Sequence, residues 1–303
     1  MTAFSNIALI GFGEVGQTLG ADLRSAKVPE LSVYDILFKR KDSIPSRALA
    51  TIPLRVGRCA VDAVANAELI VSAVTAASDV EAARSVVPGL KRGAFFLDLN
   101  SASPGMKQES AQIIDSAGGH YVEAAVMTPI APKRIGSYML LGGPHAALFI
   151  ERARPLGFTG EVFSDTIGQA SATKMCRSVI IKGLEALLSE SLLTARRYGV
   201  EKTVLDSLSD LLPVGDWEKL ARYMIGRALE HGARRAEEMR EAAKTVAEAG
   251  IVPLMANATA ERQDWAVAFK DALAHSDDLG KMLDAMRKKI EHAHRHGLPP
   301  EVA

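Results

Sequence analysis

A single stretch, NIALIGFGEVGQTLG at residues 6–20, limits what this chain can fold into more than any other. Residues 7–10 are all apolar and too few for a helix, so they read as a buried strand. Gly11, Gly13 and Gly16 follow at G-x-G-x-x-G spacing, and a helical pattern opens inside the motif. Alone that spacing is weak, because tight turns recruit glycine anyway. Strand, glycine turn and helix in that order, with an acidic residue closing the next strand, form the dinucleotide-binding pattern. Asp35, at the end of LSVYD and 19 positions after Gly16, supplies the acid. Gly11 permits the turn, Gly13 lets backbone approach a pyrophosphate, and Gly16 lets helix and strand pack closely. The helix N-terminus offers unpaired N–H groups and the positive end of its dipole to phosphate. The expected cofactor loop is therefore Gly11, Phe12, Gly13, Glu14, Val15 and Gly16, with Asp35 accepting the ribose hydroxyls. A 2′-phosphate would meet the charge of Asp35, which favours NAD; Lys39, Arg40 and Lys41 keep NADP as the alternative.

The rest of the first half repeats the alternation. Short apolar runs at 31–34, 69–74, 94–99, 121–126 and 138–141 read as strands, with helical patterns at 80–87 and 105–117 between them. Solid apolar strands separated by helices imply a parallel sheet covered on both faces. EVFSD at 161–165 is a candidate last strand. Beyond Asp165 the texture is helical. Residues 167–198 hold no proline and keep helical apolar spacing, enough for roughly 45 Å of helix. Further helices are expected over 202–212, 217–230, 233–248, 253–274 and 277–296, punctuated by Gly199, Pro213, Gly232 and Gly250. The fold class expected is a Rossmann-like α/β domain with a mostly parallel sheet over 1–165, then an all-α domain over 166–303.

A formal net charge of zero argues against a sequence-independent grip on nucleic acid. Cys59 and Cys176 are too few and too far apart for a disulfide framework, and no signal-peptide pattern or membrane-length apolar run is visible. A cytoplasmic protein without membrane contact is expected. His292, His294 and His296 alternate, which on a helix points them to different faces, so no metal site is expected there.

Lys174 stands out in GQASATKMCRS, 168–178. Gly168, Ala170 and Ala172 leave room beside it, and the lysine falls on the first turns of the long helix, where two domains should meet. Such clefts hold small-molecule sites. Elsewhere VSAVTAASDV, 71–80, and DLNSASP, 98–104, each end a strand and begin a helix. Simple capping by Ser78, Asp79 or Ser103 also explains them.

Together these segments resemble the β-hydroxyacid dehydrogenases, relatives of the 6-phosphogluconate and 3-hydroxyisobutyrate dehydrogenases. GFGEVG, YVEAAVMTPIAPKRIGSYMLLGG at 121–143, GQASATKMCRS and FKDALA at 269–274 carry the resemblance over nearly the whole chain. It implies an oxidoreductase with Lys174 as catalytic acid–base, and Met127, Thr128, Ser178 and Lys270 at the substrate, with Lys270 also helping to hold the site. Ala73, Val74 and Thr75 would face the cofactor, with Asn100 and Ser101 beside the nicotinamide ribose. Lysine suits the role because oxidising an alcohol releases a hydroxyl proton that a general base must take.

Departures from the family bear on the substrate. Ser178 stands where asparagine is usual, and a hydroxyl replaces an amide that both donates and accepts. Ile181 stands where phosphogluconate enzymes carry an acid, and Glu185 lies about 16 Å along the helix from Lys174, so phosphogluconate is demoted. Met127, Thr128 and Pro129 replace the serine and glycines of the substrate loop, and Pro129 has no N–H to offer. Arg234 or Arg235 is a further candidate for a substrate carboxylate. The chain is expected to move a hydride between nicotinamide and a 3-hydroxy acid-like substrate, as a homodimer. An imine-reducing relative, which usually replaces the lysine, and a non-catalytic NAD(H) sensor are the rivals.

Overall fold

The computed structural model describes residues 3–208 and 212–295. His296, and the stretch 209–211 of the helix expected over 202–212, lie outside them. The chain divides into two compact units, Met1–Lys174 and Met175–Ala303.

The first unit is built on a sheet of β1 (Asn6–Ile10), β2 (Glu30–Tyr34), β3 (Arg55–Val56), β4 (Leu69–Ser72), β5 (Phe95–Asp98), β6 (His120–Val126), β7 (Tyr138–Gly142) and β8 (Thr159–Ser164). Its spatial order is β3-β2-β1-β4-β5-β6-β7-β8. The helices of this unit are α1 (Glu14–Ser25), α2 (Ile44–Ala48), α3 (Ala60–Val64), α4 (Asp79–Val86), α5 (Pro104–Ser116), α6 (Ile130–Lys133) and α7 (Ala146–Ala153). Neighbouring strands from β3 through to β6 run parallel. β7 is antiparallel to β6, and β8 is parallel to β7. The chain between β6 and β7 holds only the four-residue α6 and a 3₁₀ turn, too little for the crossover a parallel neighbour needs. The sheet is therefore mostly, not wholly, parallel. β3 has no sequence signal: it is two exposed residues long.

Alternate residues of the same strands enter two different cores. Ile7, Leu9, Leu69, Val71, Phe95 and Leu97 pack one face with Leu19, Leu23 and Phe149. Ala8, Ile10, Ile70, Phe96 and Tyr121 pack the other with Ala83, Val86 and Ile114. Burial on both faces is why these strands read as unbroken apolar runs. From β1 the strands step outward through β2 to β3, then the chain returns to β4 on the other side of β1. A crevice at the carboxyl ends of β1 and β4 follows from that reversal, the usual ligand position in such sheets.

The second unit is helical. It contains most of α8 (Gln169–Tyr198), then α9 (Glu201–Leu208), α10 (Trp217–Glu248), α11 (Leu254–Ala266) and α12 (Leu279–Arg295). Leu192, Ile225, Leu229, Phe269, Met282, Leu283 and Met286 form its main core. Two helices were expected over 217–230 and 233–248, yet α10 runs through Gly232 unbroken. A Cβ at Gly232 would lie 2.4 Å from the Gln263 carbonyl oxygen, so this glycine serves close packing of α10 on α11. Asp216 starts α10 by accepting the Lys219 N–H at 2.8 Å. The helix expected over 253–274 divides into α11 and a 3₁₀ segment, Val267–His275. Among the described residues no helix is long and apolar enough to cross a membrane.

Candidate functional site

The glycine loop joins the end of β1 to α1. Gly11 has φ +93°, and a Cβ there would meet the Ala73 carbonyl oxygen at 2.3 Å. A Cβ on Gly16 would lie 2.2 Å from the Gly11 carbonyl oxygen. Both glycines are thus consumed by packing within the fold. Gly13 is different: a Cβ there meets nothing within 4 Å. The open side of the loop is therefore at Gly13, beside the first turn of α1, whose start has no side-chain cap. That combination suits a pyrophosphate.

Asp35 is already oriented. Its Oδ2 accepts the Phe12 N–H at 2.7 Å and its Oδ1 accepts the Leu37 N–H at 2.8 Å. Each carboxylate oxygen keeps a lone pair for a ribose hydroxyl. The Phe12 ring is fully buried against Phe38 and its N–H is spent on Asp35, so it shapes the loop from beneath. Val15 packs partly against the same core, and Glu14 is exposed.

The next turn, Ala73, Val74 and Thr75, leaves β4. Asn100 grips it: Asn100 Oδ1 accepts the Val74 N–H at 2.7 Å. Its amide donates to Ser72 Oγ at 3.0 Å and to Asp79 Oδ1 at 2.6 Å. With 4% exposure, Asn100 holds the turn at Val74 through these protein partners. Ser103 caps α5, as the sequence suggests. Ser78 makes no capping bond to α4, and its hydroxyl meets Thr75 Oγ1 at 3.2 Å. Beneath lies a charged core that sequence reading missed. Asp98 pairs with Lys107 at 2.6 Å, with both side chains buried, and accepts the Tyr121 hydroxyl at 2.6 Å. Burial works against the Lys107 charge, but Asp98 and Asp79 outweigh it and hold the ammonium above its ordinary value. Its only sequence signal is an aspartate closing the apolar run FFLD.

Lys174 and Ser101, assigned to different roles from sequence, come together: Lys174 Nζ donates to Ser101 Oγ at 2.7 Å. The start of the helix that carries Lys174 is fixed to the sheet by Glu123. This buried carboxylate accepts the Gly168 N–H at 2.7 Å and the Ser171 N–H at 2.6 Å. An acid on a core strand is costly unless paired, and two helix-start donors satisfy it. Gly142 makes room, because a Cβ there would lie 2.5 Å from Glu123 Oε2. Thr128 Oγ1 is buried without a partner among the described residues. Met127 packs partly buried against Ala125, Leu140 and Ala170.

In the helical unit, Ser178 accepts a hydrogen bond from Lys182 Nζ at 3.2 Å, and Lys182 pairs with Glu238 at 2.6 Å. Burial pulls the Lys182 ammonium below its ordinary value although Glu238 opposes it. Lys270 is exposed. Arg235 is buried and donates to both carboxylate oxygens of Glu185, with Nε at 2.9 Å from Oε2. Arg234 pairs with Glu238. Arg235 is thus committed inside the unit, while Arg234 stays exposed, and the helix start that grouped them is the interior of α10.

Residues 6–156 match the family described as the NAD binding domain of 6-phosphogluconate dehydrogenase. Residues 195–266 match a domain of unknown function, DUF1932. The chain is similar to the solved structure of a conserved hypothetical protein from Sinorhizobium meliloti 1021, with 35% identity, TM-score 0.74, and 95% of this chain and 97% of that chain covered. A second, of a conserved protein of unknown function described as structurally similar to 3-hydroxyacid dehydrogenases, is 29% identical with TM-score 0.69, covering 91% and 99%. A 3-hydroxyisobutyrate dehydrogenase from Mycobacterium tuberculosis shares the fold at 19% identity and TM-score 0.69, covering 95% and 100%.

Proposed function

The chain belongs to the β-hydroxyacid dehydrogenase family, and on that premise we propose that it is an NAD-dependent dehydrogenase acting on a 3-hydroxy acid-like substrate, with Lys174 as general acid–base. The observation that carries the proposal is the 2.7 Å contact between Lys174 and Ser101 at the carboxyl edge of the sheet. Ser101 follows β5 and so sits on the same edge as the glycine loop, to which the dinucleotide is assigned.

The residues present fit that cofactor. Gly13 is open, the start of α1 is uncapped by any side chain, and Asp35 is held with acceptor capacity left. A nicotinamide cofactor held by these residues would supply hydride transfer to and from the alcohol carbon. The protein handles the accompanying proton. In oxidation the neutral Lys174 amine takes the hydroxyl proton as the C=O bond forms; in reduction the ammonium gives it back. Ser101 holds the amine at the edge of β5 and supplies a hydroxyl that either donates to the free amine or accepts from the ammonium. Asp35 supports NAD over NADP by repelling a 2′-phosphate, and Thr128, whose buried hydroxyl has no partner among the described residues, is offered to the substrate.

A nicotinamide-absorbance screen of 3-hydroxy acids with NAD and with NADP tests the reading. Turnover of one acid, faster with NAD, is expected. Thr128→Val, Ser178→Ala and Lys270→Ala then test the substrate contacts proposed for these side chains, each through a raised KM at unchanged cofactor affinity. Tight NADH binding with no turnover of any acid would instead identify a nucleotide sensor.

A further inference from the structure

Under the cofactor turn lie two carboxylic acids and a single lysine. Asp98 is satisfied as an ionised carboxylate. Its Oδ1 receives Lys107 Nζ at 2.6 Å and the Asn100 N–H at 2.9 Å, and its Oδ2 receives the Tyr121 hydroxyl at 2.6 Å. Asp79 is as deeply buried, at 0% exposure, but less well served. Its Oδ1 accepts from the Asn100 amide, while no donor among the described residues reaches its Oδ2. Asp98 is its acidic neighbour across Asn100, whose backbone N–H reaches Asp98 and whose amide reaches Asp79. A second ionised carboxylate, fully buried with one hydrogen bond and an unpartnered oxygen, is costly. Asp98 already draws Lys107 and Tyr121, so the proton belongs on Asp79. Protonation there removes the uncompensated charge.

The remaining charges around the pair do not alter this. Glu123, on β6, faces Lys107 and Tyr121, but its charge is met by the two N–H groups at the start of α8. Lys107 on α5 is the cation that acts on Asp79; Ser72 on β4 and Asn100 contribute only neutral groups. Asp79 opens α4, where the helix dipole favours a negative charge. That effect is small beside the desolvation of a second, fully buried carboxylate.

We propose that Asp79 is a positioning residue held as a neutral carboxylic acid, and that its proton fixes the cofactor turn through the chain Asp79–Asn100–Val74. Ionisation places a second anion against Asp98 and pulls on Asn100, whose other end holds the Val74 N–H. Burial and the Asp98 charge push Asp79 up to about 8, so the neutral form prevails at neutral pH and is lost in mild alkali. The link to cofactor binding rests on the reading that turn 73–75 faces a dinucleotide; the proton itself does not.

Asp79→Asn tests both parts, because its amide keeps an acceptor for Asn100 and a neutral group in place of the protonated oxygen while removing the ionisation. Three measurements on the full chain are compared between wild type and the variant. Difference infrared spectra at neutral pH should show a protonated-carboxyl C=O band present only in wild type and titrating away in mild alkali. The variant's Tm advantage should grow as pH rises from about 4 to about 8 and stay constant above, since the native state holds a proton there that the unfolded chain has released. The wild-type NADH Kd should rise roughly tenfold about one pH unit beyond the ionisation, as the binding-competent fraction falls, while the Asp79→Asn curve stays flat. A missing protonated-carboxyl band overturns the proposal outright. A band that titrates with no difference between the two NADH curves overturns the link to the cofactor turn. NADH binding to neither protein at any pH, with the band present, counts against the dinucleotide reading and the link together, and leaves the neutral acid standing.

Discussion

Gly11 and Gly13 stand two positions apart and make opposite predictions. Gly11 combines φ +93° with a Cβ position 2.3 Å from a backbone oxygen, so Gly11→Ala is expected to cost about 1–3 kcal/mol or more of stability and to lose NADH binding with it. Gly13 has φ −73° and open space where its Cβ would be. Gly13→Ala should therefore leave stability within about 0.5 kcal/mol of wild type and weaken only the dinucleotide, measured by thermal unfolding beside NADH titration. An alanine at Gly13 that changes neither would show that no phosphate approaches the loop. At this scale the sequence was legible where chemistry depends on spacing. The glycines, Asp35 and Lys174 were all visible because a turn, a strand end and a helix start fix their positions. The contacts of Phe12 and Asn100 were not legible: a residue beside a glycine turn can face outward or the core, and spacing does not distinguish them.

The start of α8 shows what an element owes to a distant strand. Glu123 on β6 accepts two N–H groups there, and Lys174 stands on the next turn. Glu123→Gln keeps one acceptor and removes the charge. It should lower stability by about 1–3 kcal/mol and depress kcat more than NADH affinity, because the lysine is displaced while the glycine loop is not. Equal kcat at reduced stability would detach Glu123 from the positioning of Lys174. Strands buried on both faces and helices with regular apolar spacing announced themselves in the sequence. The direction of β7 did not, since it depends on connection length. The continuity of α10 did not either. Gly232 reads as a helix stop in isolation and becomes a contact only when α11 lies against it.

Taken as a whole, the molecule carries its charges inward in both units, Asp98–Lys107 in one and Glu185–Arg235 in the other. Burial pushes the Glu185 carboxyl above its ordinary range although Arg235 and Gln263 pull it back. Arg235→Ala strands that carboxylate and should cost about 3–5 kcal/mol in chemical unfolding, whereas replacing both partners by apolar residues of similar volume should cost far less. Equal losses from the single and double changes would contradict that reasoning. Ile180, Leu187, Tyr198 and Leu254 are exposed apolar residues of the helical unit, and we propose that a homodimer, the state expected from the sequence, covers them. Sedimentation at twice the mass of one chain is the expected result. None of the buried pairs was foreseen, because a charged residue in a helical pattern reads by default as solvated; only the folded arrangement shows which of them face inward.

The claim on which the functional account turns is the role of Lys174. Its most direct test is the kcat of wild type and Lys174→Ala on the best substrate from the screen, with NADH Kd measured on the same preparations. General acid–base catalysis by this lysine predicts a fall of about 10²–10⁴-fold in kcat with Kd unchanged. An alanine variant that keeps the wild-type rate with the cofactor bound as tightly would contradict it.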